Sequence, residues 1–352
     1  MNIVVLGGGQ QGRVIASDLA RSLPEARVDV ADIAQPRLPE AGNLRWVEAD
    51  CADPSAAARL MSGYDLAVGA LPSRFGYGTM RAAIEAKVPL VDVSFSAENP
   101  LALDTEARDA GVAIVPDCGL APGLSHLAAG NASTQGPIEE LVIYVGGVSQ
   151  DPSKPYGYVV TWSLEDLLEE YVRPARIVRG GEMVTLPVFS ELERIQVDGA
   201  GEMEAFLSDG LRTAIDTFPG VPAMEERTLR WPGHAEAVQP IVESGKFLSE
   251  FREKCVVDEP RDLVALVVRV RWRDGRRERM TLVDRWDDAN QQTAMSRTTA
   301  FTTAVTAQLL ARGAAREPGV HPLEHIGRSE KAYRFIVDQL AERGVRMAWR
   351  EE

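Results

Sequence analysis

Cysteine and histidine are scarce in this chain: Cys51, Cys118 and Cys255 are its three cysteines, and 352 residues hold four histidines. No Cys-x-x-Cys pair occurs, so neither a disulfide framework nor a metal site is expected. Positive charge is also short. Thirty-eight Lys and Arg stand against fifty-two Asp and Glu, a formal net charge of −14. A nucleic-acid partner is therefore not expected, because such a site needs a basic stripe. The one arginine-rich stretch, Arg271 to Arg279, is broken by Trp272, Asp274, Gly275 and Glu278, and reads as a solvated hairpin. No apolar run approaches membrane-spanning length, so no membrane partner is assigned. The chain enters a strand at once, which leaves no room for a signal peptide. A reduced, cytoplasmic protein is the expectation.

Glycine, by contrast, is concentrated where it has a chemical use. Ile3 to Leu6 is an apolar run suited to a strand buried on both faces. Gly7, Gly9 and Gly12 follow in G-x-G-x-x-G spacing, and a helical pattern continues from Arg13 to Ala20. In that context Gly7 permits the tight turn, Gly9 lets a pyrophosphate reach the backbone, and Gly12 lets helix and strand pack closely. Gln10 and Gln11 complete the loop, whose amides face the phosphates at a helix N-terminus. A second strand, Arg27 to Val30, leads to Asp32, placed to accept from the ribose hydroxyls, with Ile33 beside it. This favours NAD, with NADP possible because Arg37 lies nearby. After a third strand, Leu44 to Val47, Asp50 either reaches the adenine edge or caps the next helix, and Cys51 follows it.

The alternation continues. Asp65 to Ala70 is a fourth strand, broken by Leu71-Pro72, and Ala70, Leu71 and Pro72 are expected beside the nicotinamide ribose. Pro89 to Val93 is the fifth strand and brings Asp92, Val93 and Ser94 to the same edge; Val112 to Pro116 is the sixth. The fold class is thus α/β, opening with a doubly wound parallel sheet of the Rossmann kind. Asp117, Cys118, Gly119 and Leu120 leave the last strand at its carboxyl edge, where ligands bind in such sheets. Beyond residue 130 the pattern becomes longer strands: 141–147, 158–162, 177–188 with a turn at Gly180-Gly181, 196–206, 227–231, 264–272 and 279–283. Helices intervene, giving a mixed α/β block. Long helices close the chain over 292–312 and 329–343.

Polar residues at element ends are the candidates for chemistry. Trp162, Glu170 and Tyr171 bracket one helix. Arg212 is the first choice to clamp a substrate carboxylate, since its planar fork matches one bidentately; the competing reading is a surface ion pair. Arg297 and Thr298, in the long helix, are further substrate candidates. His234 opens a helix, as a cap or as a base.

Several longer strings carry a resemblance. Gly69-Ala70-Leu71-Pro72, Val91-Asp92-Val93-Ser94-Phe95 and Gly119-Leu120-Ala121-Pro122-Gly123-Leu124-Ser125 resemble the L-lysine 6-dehydrogenases of the saccharopine dehydrogenase-like family. So do Thr161-Trp162-Ser163, Glu169-Glu170-Tyr171, Glu204 to Arg212 and Thr228 to His234. The resemblance runs over most of residues 1–235 and then thins. It implies a Rossmann domain over 1–117, a mixed α/β substrate-binding and dimerisation domain over 118–313, and a C-terminal helical segment over 314–352 that packs on the first domain. A homodimer and an amino-acid substrate follow from the same resemblance. Saccharopine reductases usually carry an aspartate where this chain has Ala121, which counts against saccharopine as substrate.

The activity so implied is oxidative deamination at the ε-carbon of L-lysine, giving 2-aminoadipate 6-semialdehyde, ammonia and reduced cofactor. The alternatives are a saccharopine- or carboxynorspermidine-type reductase and a non-catalytic NAD-binding protein. The substrate's own protonation is the obstacle. An ammonium near pKa 10.4 lies about 3.4 units from neutral at pH 7, so exposing its lone pair costs ~4.6 kcal/mol. An alkaline optimum and a protein base are expected, with Asp117 first by position, then His234 and Glu170.

Overall fold

Ile3, Val4, Val5 and Leu6 have no exposed surface and form the centre of β1 (Asn2–Leu6). The computed structural model describes residues 1–352. After β1 come α1 (Gln10–Ser22), β2 (Arg27–Asp32), β3 (Leu44–Glu48), α2 (Pro54–Met61), β4 (Leu66–Gly69) and α3 (Ser73–Ala86). Then follow β5 (Leu90–Asp92), α4 (Asp104–Ala110), β6 (Ala113–Val115) and α5 (Leu124–Ser133). The six strands pair in parallel in the order β6-β5-β4-β1-β2-β3. Strand order therefore reverses at β1, which creates the crevice that doubly wound sheets use for ligands. The expected parallel sheet is present. Its strands are buried on both faces because helices cover both, which is why they read as unbroken apolar runs.

Backbone contacts divide the chain into two units, residues 1–130 with 298–344, and 131–297 with 345–352. The second unit begins with β7 (Ile138–Ser149), α6 (Leu164–Val172), β8 (Ala175–Arg179), β9 (Glu182–Leu186), β10 (Glu193–Val197) and β11 (Gly201–Ser208). It continues through α7 (Ala214–Thr217), β12 (Ala223–Arg230), α8 (His234–Glu243), α9 (Phe247–Lys254), β13 (Asp262–Trp272) and β14 (Arg277–Arg285). Central β7 runs parallel to β12 and antiparallel to β13, so this sheet is mixed. The expected hairpin at Asp274-Gly275 joins β13 to β14, and the turn at Gly180-Gly181 joins β8 to β9.

One expected strand is absent. Residues 158–162 are irregular: the Val160 N–H donates to Cys255 O at 2.9 Å instead of joining a ladder. Their apolar side chains are drawn into a cluster with α6, α8 and α9, where the Tyr158 ring lies 5.7 Å from that of Phe251. Two short strands escape sequence reading. After α10 (Ala294–Ala311), β15 (Gly319–Val320) adds to β6 in parallel as a seventh strand of the first sheet. After α11 (Leu323–Gly327) and α12 (Glu330–Glu342), β16 (Ala348–Glu351) pairs with β14. Two or four residues are too few to show a period.

Residues 118–130 and 298–313, expected with the second domain, group with the first unit. The Thr303 hydroxyl donates to Cys118 O at 2.6 Å, tying α10 to the turn after β6. The Arg343 guanidinium, just past α12, reaches Asp18 of α1 at 2.8 Å. No helix is long and apolar enough to cross a membrane.

Candidate active site

Gly7, Gly9 and Gly12 play three different parts. Gly7 has φ +102°, and a Cβ there would stand 2.6 Å from Ala70 O, so the turn passes directly over the end of β4. A Cβ at Gly12 would stand 1.9 Å from Gly7 O. These two glycines are required by the fold. A Cβ at Gly9 would meet no protein atom within 4 Å, so that position is open for a ligand. Gly9 caps α1, whose first-turn amides have no intrahelical acceptors. Gln10 is exposed, and Gln11 Oε1 is buried with no hydrogen-bond partner. This loop fits a dinucleotide pyrophosphate.

Asp32 accepts from the Gly8 N–H at 2.6 Å and from the Ala34 N–H at 3.0 Å. Its carboxylate thus closes the far side of the glycine loop, where a 2′-phosphate would meet a negative charge. Ile33 is 70% exposed, an apolar side chain in the position to flank an adenine. Of the two readings for Asp50, the cap belongs elsewhere: Asp53 accepts from the Ser55 and Ala56 amides at the start of α2, while Asp50 closes a turn on the Ala52 N–H. Cys51 is buried, and burial with the charges of Asp32 and Asp50 pushes its thiol up to about 11.

The strand ends carry the acids. Asp92, the last residue of β5, is buried and accepts from the backbone N–H of Ser94 at 2.8 Å and from its hydroxyl. Gly69 and Gly76 make room for this pair: a Cβ at either would overlap Asp92 or Ser94. Burial above all, reinforced by the charge of Asp117, raises Asp92 to about 6, with the Ser94 bonds opposing. Asp117 follows β6 with φ +51° and is 4% exposed. The Cys118 N–H donates to Asp92 O at 2.8 Å, fixing the two acids side by side. Val93 Cγ2 and Thr299 Cγ2 both lie against the Gly119 backbone. The edge residues expected from sequence are therefore together in this unit. Cys118 is the exception for substrate contact, since its side chain has no exposed surface and lies 4.0 Å from Thr302 O on α10; Leu120 and Thr298 are likewise buried.

In the second unit His234 has a different part from the base expected. Its Nδ1 lies 2.8 Å from Tyr156 O and its Nε2 2.9 Å from the Tyr171 hydroxyl. A carbonyl only accepts, so Nδ1 carries the proton and Nε2 accepts from Tyr171. Burial, then the charge of Arg230, lowers the imidazole to about 3. A neutral ring with both nitrogens engaged does not take a proton from substrate. Arg230 donates from Nε to the Tyr171 oxygen at 2.9 Å and from Nη2 to Glu170 at 2.8 Å. Glu170 is accordingly ion-paired; burial raises it and Arg230 opposes. Trp162 Nε1 donates to the Tyr158 hydroxyl at 3.2 Å. Glu204 caps α8, accepting from Gly233 and Ala235 at 2.9 and 2.6 Å.

Arg212 is 5% exposed with φ +49°, so it lies inside the protein and not on its surface. Its loop is pinned by Asp209, which accepts from Arg176 Nε at 2.7 Å and Nη2 at 2.9 Å. Arg297 is matched inside the protein by Asp284 and Asp287, each at 2.8 Å, so a substrate carboxylate would have to displace two aspartates. Asp92 and Arg230 were placed at element ends in the sequence without a role of their own, and Glu226 went unselected. Asp92 stood at a strand end, a signal that was available. Glu226 and Arg230 lie in Glu-Glu-Arg-Thr-Leu-Arg, where charges fill both faces and no alternation marks the buried one. No group of three or more His, Cys, Asp or Glu side chains is placed to hold a metal ion.

Comparison with known proteins gives the lineage. Residues 3–115 match the saccharopine dehydrogenase NADP binding domain and residues 119–345 the saccharopine dehydrogenase C-terminal domain. The chain belongs to the saccharopine dehydrogenase family. Saccharopine dehydrogenase (NADP+, L-glutamate-forming) of Saccharomyces cerevisiae is 24% identical over 267 residues, 72% of this chain and 60% of that protein. The mitochondrial alpha-aminoadipic semialdehyde synthase of Rattus norvegicus is 29% identical over 134 residues, 36% of this chain and 14% of that protein. Matches to the first three curated relatives span 60%, 33% and 51% of their lengths. The solved apo saccharopine dehydrogenase from S. cerevisiae superimposes with TM-score 0.74 at 18% identity, covering 100% of this chain and 99% of that one. Homospermidine synthase from Legionella pneumophila, solved with NAD, gives 0.72 at 13% identity, covering 100% and 91%. These likenesses establish the fold of this family member.

Proposed function

We propose that this chain is a nicotinamide-dependent oxidoreductase acting at a carbon–nitrogen bond of an amino acid, with L-lysine oxidised at its ε-carbon as the first assignment. The observation that carries the reading is the juxtaposition, within one unit, of an open glycine cradle at Gly9 with two buried acids, Asp92 and Asp117, at the carboxyl ends of β5 and β6. Oxidation of an amine needs an acceptor for hydride and an acceptor for a proton, and this edge of the sheet offers the second beside a site suited to the first. The loop would hold the cofactor by Gly7 to Gly12, with Asp32 at its ribose; a bound nicotinamide supplies the hydride acceptor.

The protein's own work is proton handling. Asp117 takes a proton from the substrate ammonium, exposing the nitrogen lone pair. Loss of hydride from the ε-carbon leaves a protonated imine, water adds to it, and ammonia departs, leaving an aldehyde. Once its first proton has passed to solvent, the Asp117 carboxylate accepts a proton from the water that adds. Asp92, held by Ser94, fixes the turn that carries Asp117, since its backbone carbonyl accepts from the Cys118 N–H. The competing reading, suggested by the names of the curated relatives, is a saccharopine-type enzyme that splits or joins an amine and a keto acid.

One assay separates these. Purified protein with NAD+ or NADP+ is offered lysine, ornithine, saccharopine and polyamines, and reduced cofactor is followed together with ammonia and glutamate. Lysine-dependent reduction with ammonia release supports the assignment; glutamate from saccharopine replaces it with the competing reading. Asp117→Asn should abolish turnover with cofactor affinity intact, and normal turnover in that variant removes Asp117 from the mechanism.

A further inference from the structure

Asp18 lies on α1 and is 2% exposed, and three segments of the first unit meet on its carboxylate. Arg343, just past α12, donates from Nε at 2.9 Å and from Nη2 at 2.8 Å, and Arg21 of α1 itself donates at 2.6 Å. From α10, Gln308 Nε2 donates at 3.3 Å. Gln308 has no exposed surface, and its Oε1 is buried with no hydrogen-bond partner. A buried amide with one end unmet lowers stability. A buried ion pair adds little net stability when set against well-packed apolar groups. Apolar contacts alone would hold these helices together; what the polar node adds is a fixed register between them.

The two helices joined there carry the two halves of the site in the first unit. Gly9 caps α1, whose first-turn amides line the glycine cradle. On α10 the Thr303 hydroxyl donates to Cys118 O at 2.6 Å, and Thr299 Cγ2 lies against the Gly119 backbone, so this helix holds the turn that begins at Asp117. The strands beneath, β1 and β6, have β4 and β5 between them, a separation of about 14 Å at the usual strand spacing. Hydride transfer needs its reacting atoms about 3–3.5 Å apart, and a misplacement of about 1 Å costs about a hundredfold. The link from Asp18 to Gln308 ties cradle to acid turn without passing through the sheet.

We propose that Asp18 is a positioning residue: through Gln308 it couples α1, and with it the glycine loop, to α10 and the Asp117 turn, so that cofactor binding tightens the acid turn. This rests on the oxidoreductase reading and adds to it the linkage between cofactor and acid. Arg343 serves the same node by holding the Asp18 carboxylate in the orientation that Gln308 meets.

Amide hydrogen exchange, read by mass spectrometry in full-length protein with and without saturating NADH or NADPH, tests this. In wild type the cofactor should slow exchange about fivefold or more in residues 302–311 of α10, as well as in the glycine loop. Gln308→Met removes the link and its unmet oxygen while Asp18 keeps both arginines. Its melting temperature and cofactor affinity should match wild type, but protection should stop at α1. With the amine substrate, its kcat should fall about tenfold or more at unchanged KM. Asp18→Leu combined with Arg343→Met, which removes both charges together, should likewise confine protection to α1. The proposal is overturned if the cofactor leaves α10 exchange unchanged in wild type, or if Gln308→Met is protected as fully as wild type. It is also overturned if that variant loses melting temperature and cofactor affinity together, the mark of ordinary packing. Coupled protection with no amine-dependent reduction of cofactor overturns the oxidoreductase reading and leaves this linkage standing; no binding of either nucleotide overturns both.

Discussion

Tyr171 donates its phenolic hydrogen to His234 Nε2, 2.9 Å away, because the other imidazole nitrogen is committed to the Tyr156 carbonyl at 2.8 Å. The Tyr171 oxygen accepts in turn from Arg230 Nε. A phenol thus links a buried cation to a neutral imidazole, and its removal leaves an unmet group on each side.

Tyr171→Phe should destabilise the protein by about 2–4 kcal/mol, since two buried partners lose their bond at about 1–3 kcal/mol each with partial relaxation. Urea unfolding measures this. A loss below the error of the extrapolation would show that the chain of bonds does not exist in solution.

Acid should act through His234. Its folded value, about 3, lies below the ordinary 6.5, so between those limits the unfolded chain binds more protons than the native one. The stability contributed by this residue is full above pH 6.5 and disappears as pH falls toward 3. His234→Gln should flatten that limb of the stability-against-pH curve. An unchanged slope would count against a buried neutral imidazole.

Glu226 should act with the opposite sign. Its folded value is raised to about 8 from 4.5, so its protonated form favours the native state below pH 4.5, and that contribution is lost as pH rises through 8. Glu226→Gln should therefore be more stable than wild type at pH 9 relative to their difference at pH 5. Parallel curves for the two proteins from pH 5 to pH 9 would refute it.

Gly9 and Gly12 should respond differently to the same substitution. Gly9→Ala adds a methyl group that meets no protein atom within 4 Å; melting should be unaffected, while dinucleotide affinity falls about tenfold or more, ~1.4 kcal/mol. Gly12→Ala places a methyl group 1.9 Å from Gly7 O and should cost about 1–3 kcal/mol of stability through overpacking. Equal dinucleotide affinity of Gly9→Ala and wild type, read by fluorescence titration, would mean that no phosphate passes over Gly9.

Asp32 should set the cofactor. Asp32→Ala removes the charge that would face a 2′-phosphate and the acceptor for the Gly8 N–H at 2.6 Å. The ratio of NADP to NAD affinity should rise about tenfold or more. A wild-type preference for NADP would reverse the assignment.

The parallel sheet and its glycine loop are legible in the order of residues alone, because a strand buried on both faces writes an apolar run and a phosphate turn writes its glycines at fixed spacing. The same order also placed Asp117, Ser94 and Arg212 at element ends, since punctuation by Gly and Pro is local. What those residues meet follows from packing between distant segments. His234 became a neutral hydrogen-bonded ring because α8 presents it to Tyr171 of α6, sixty-three residues away. Arg297 was matched by aspartates on another element and its following loop. Glu226 acquired its unmet oxygen from the packing of β11 on β12. Two-residue β15 joined β6 across two hundred residues of chain, where no periodicity can announce a partner. Local pattern fixes backbone conformation; burial, charge pairing and protonation belong to whatever the fold brings near.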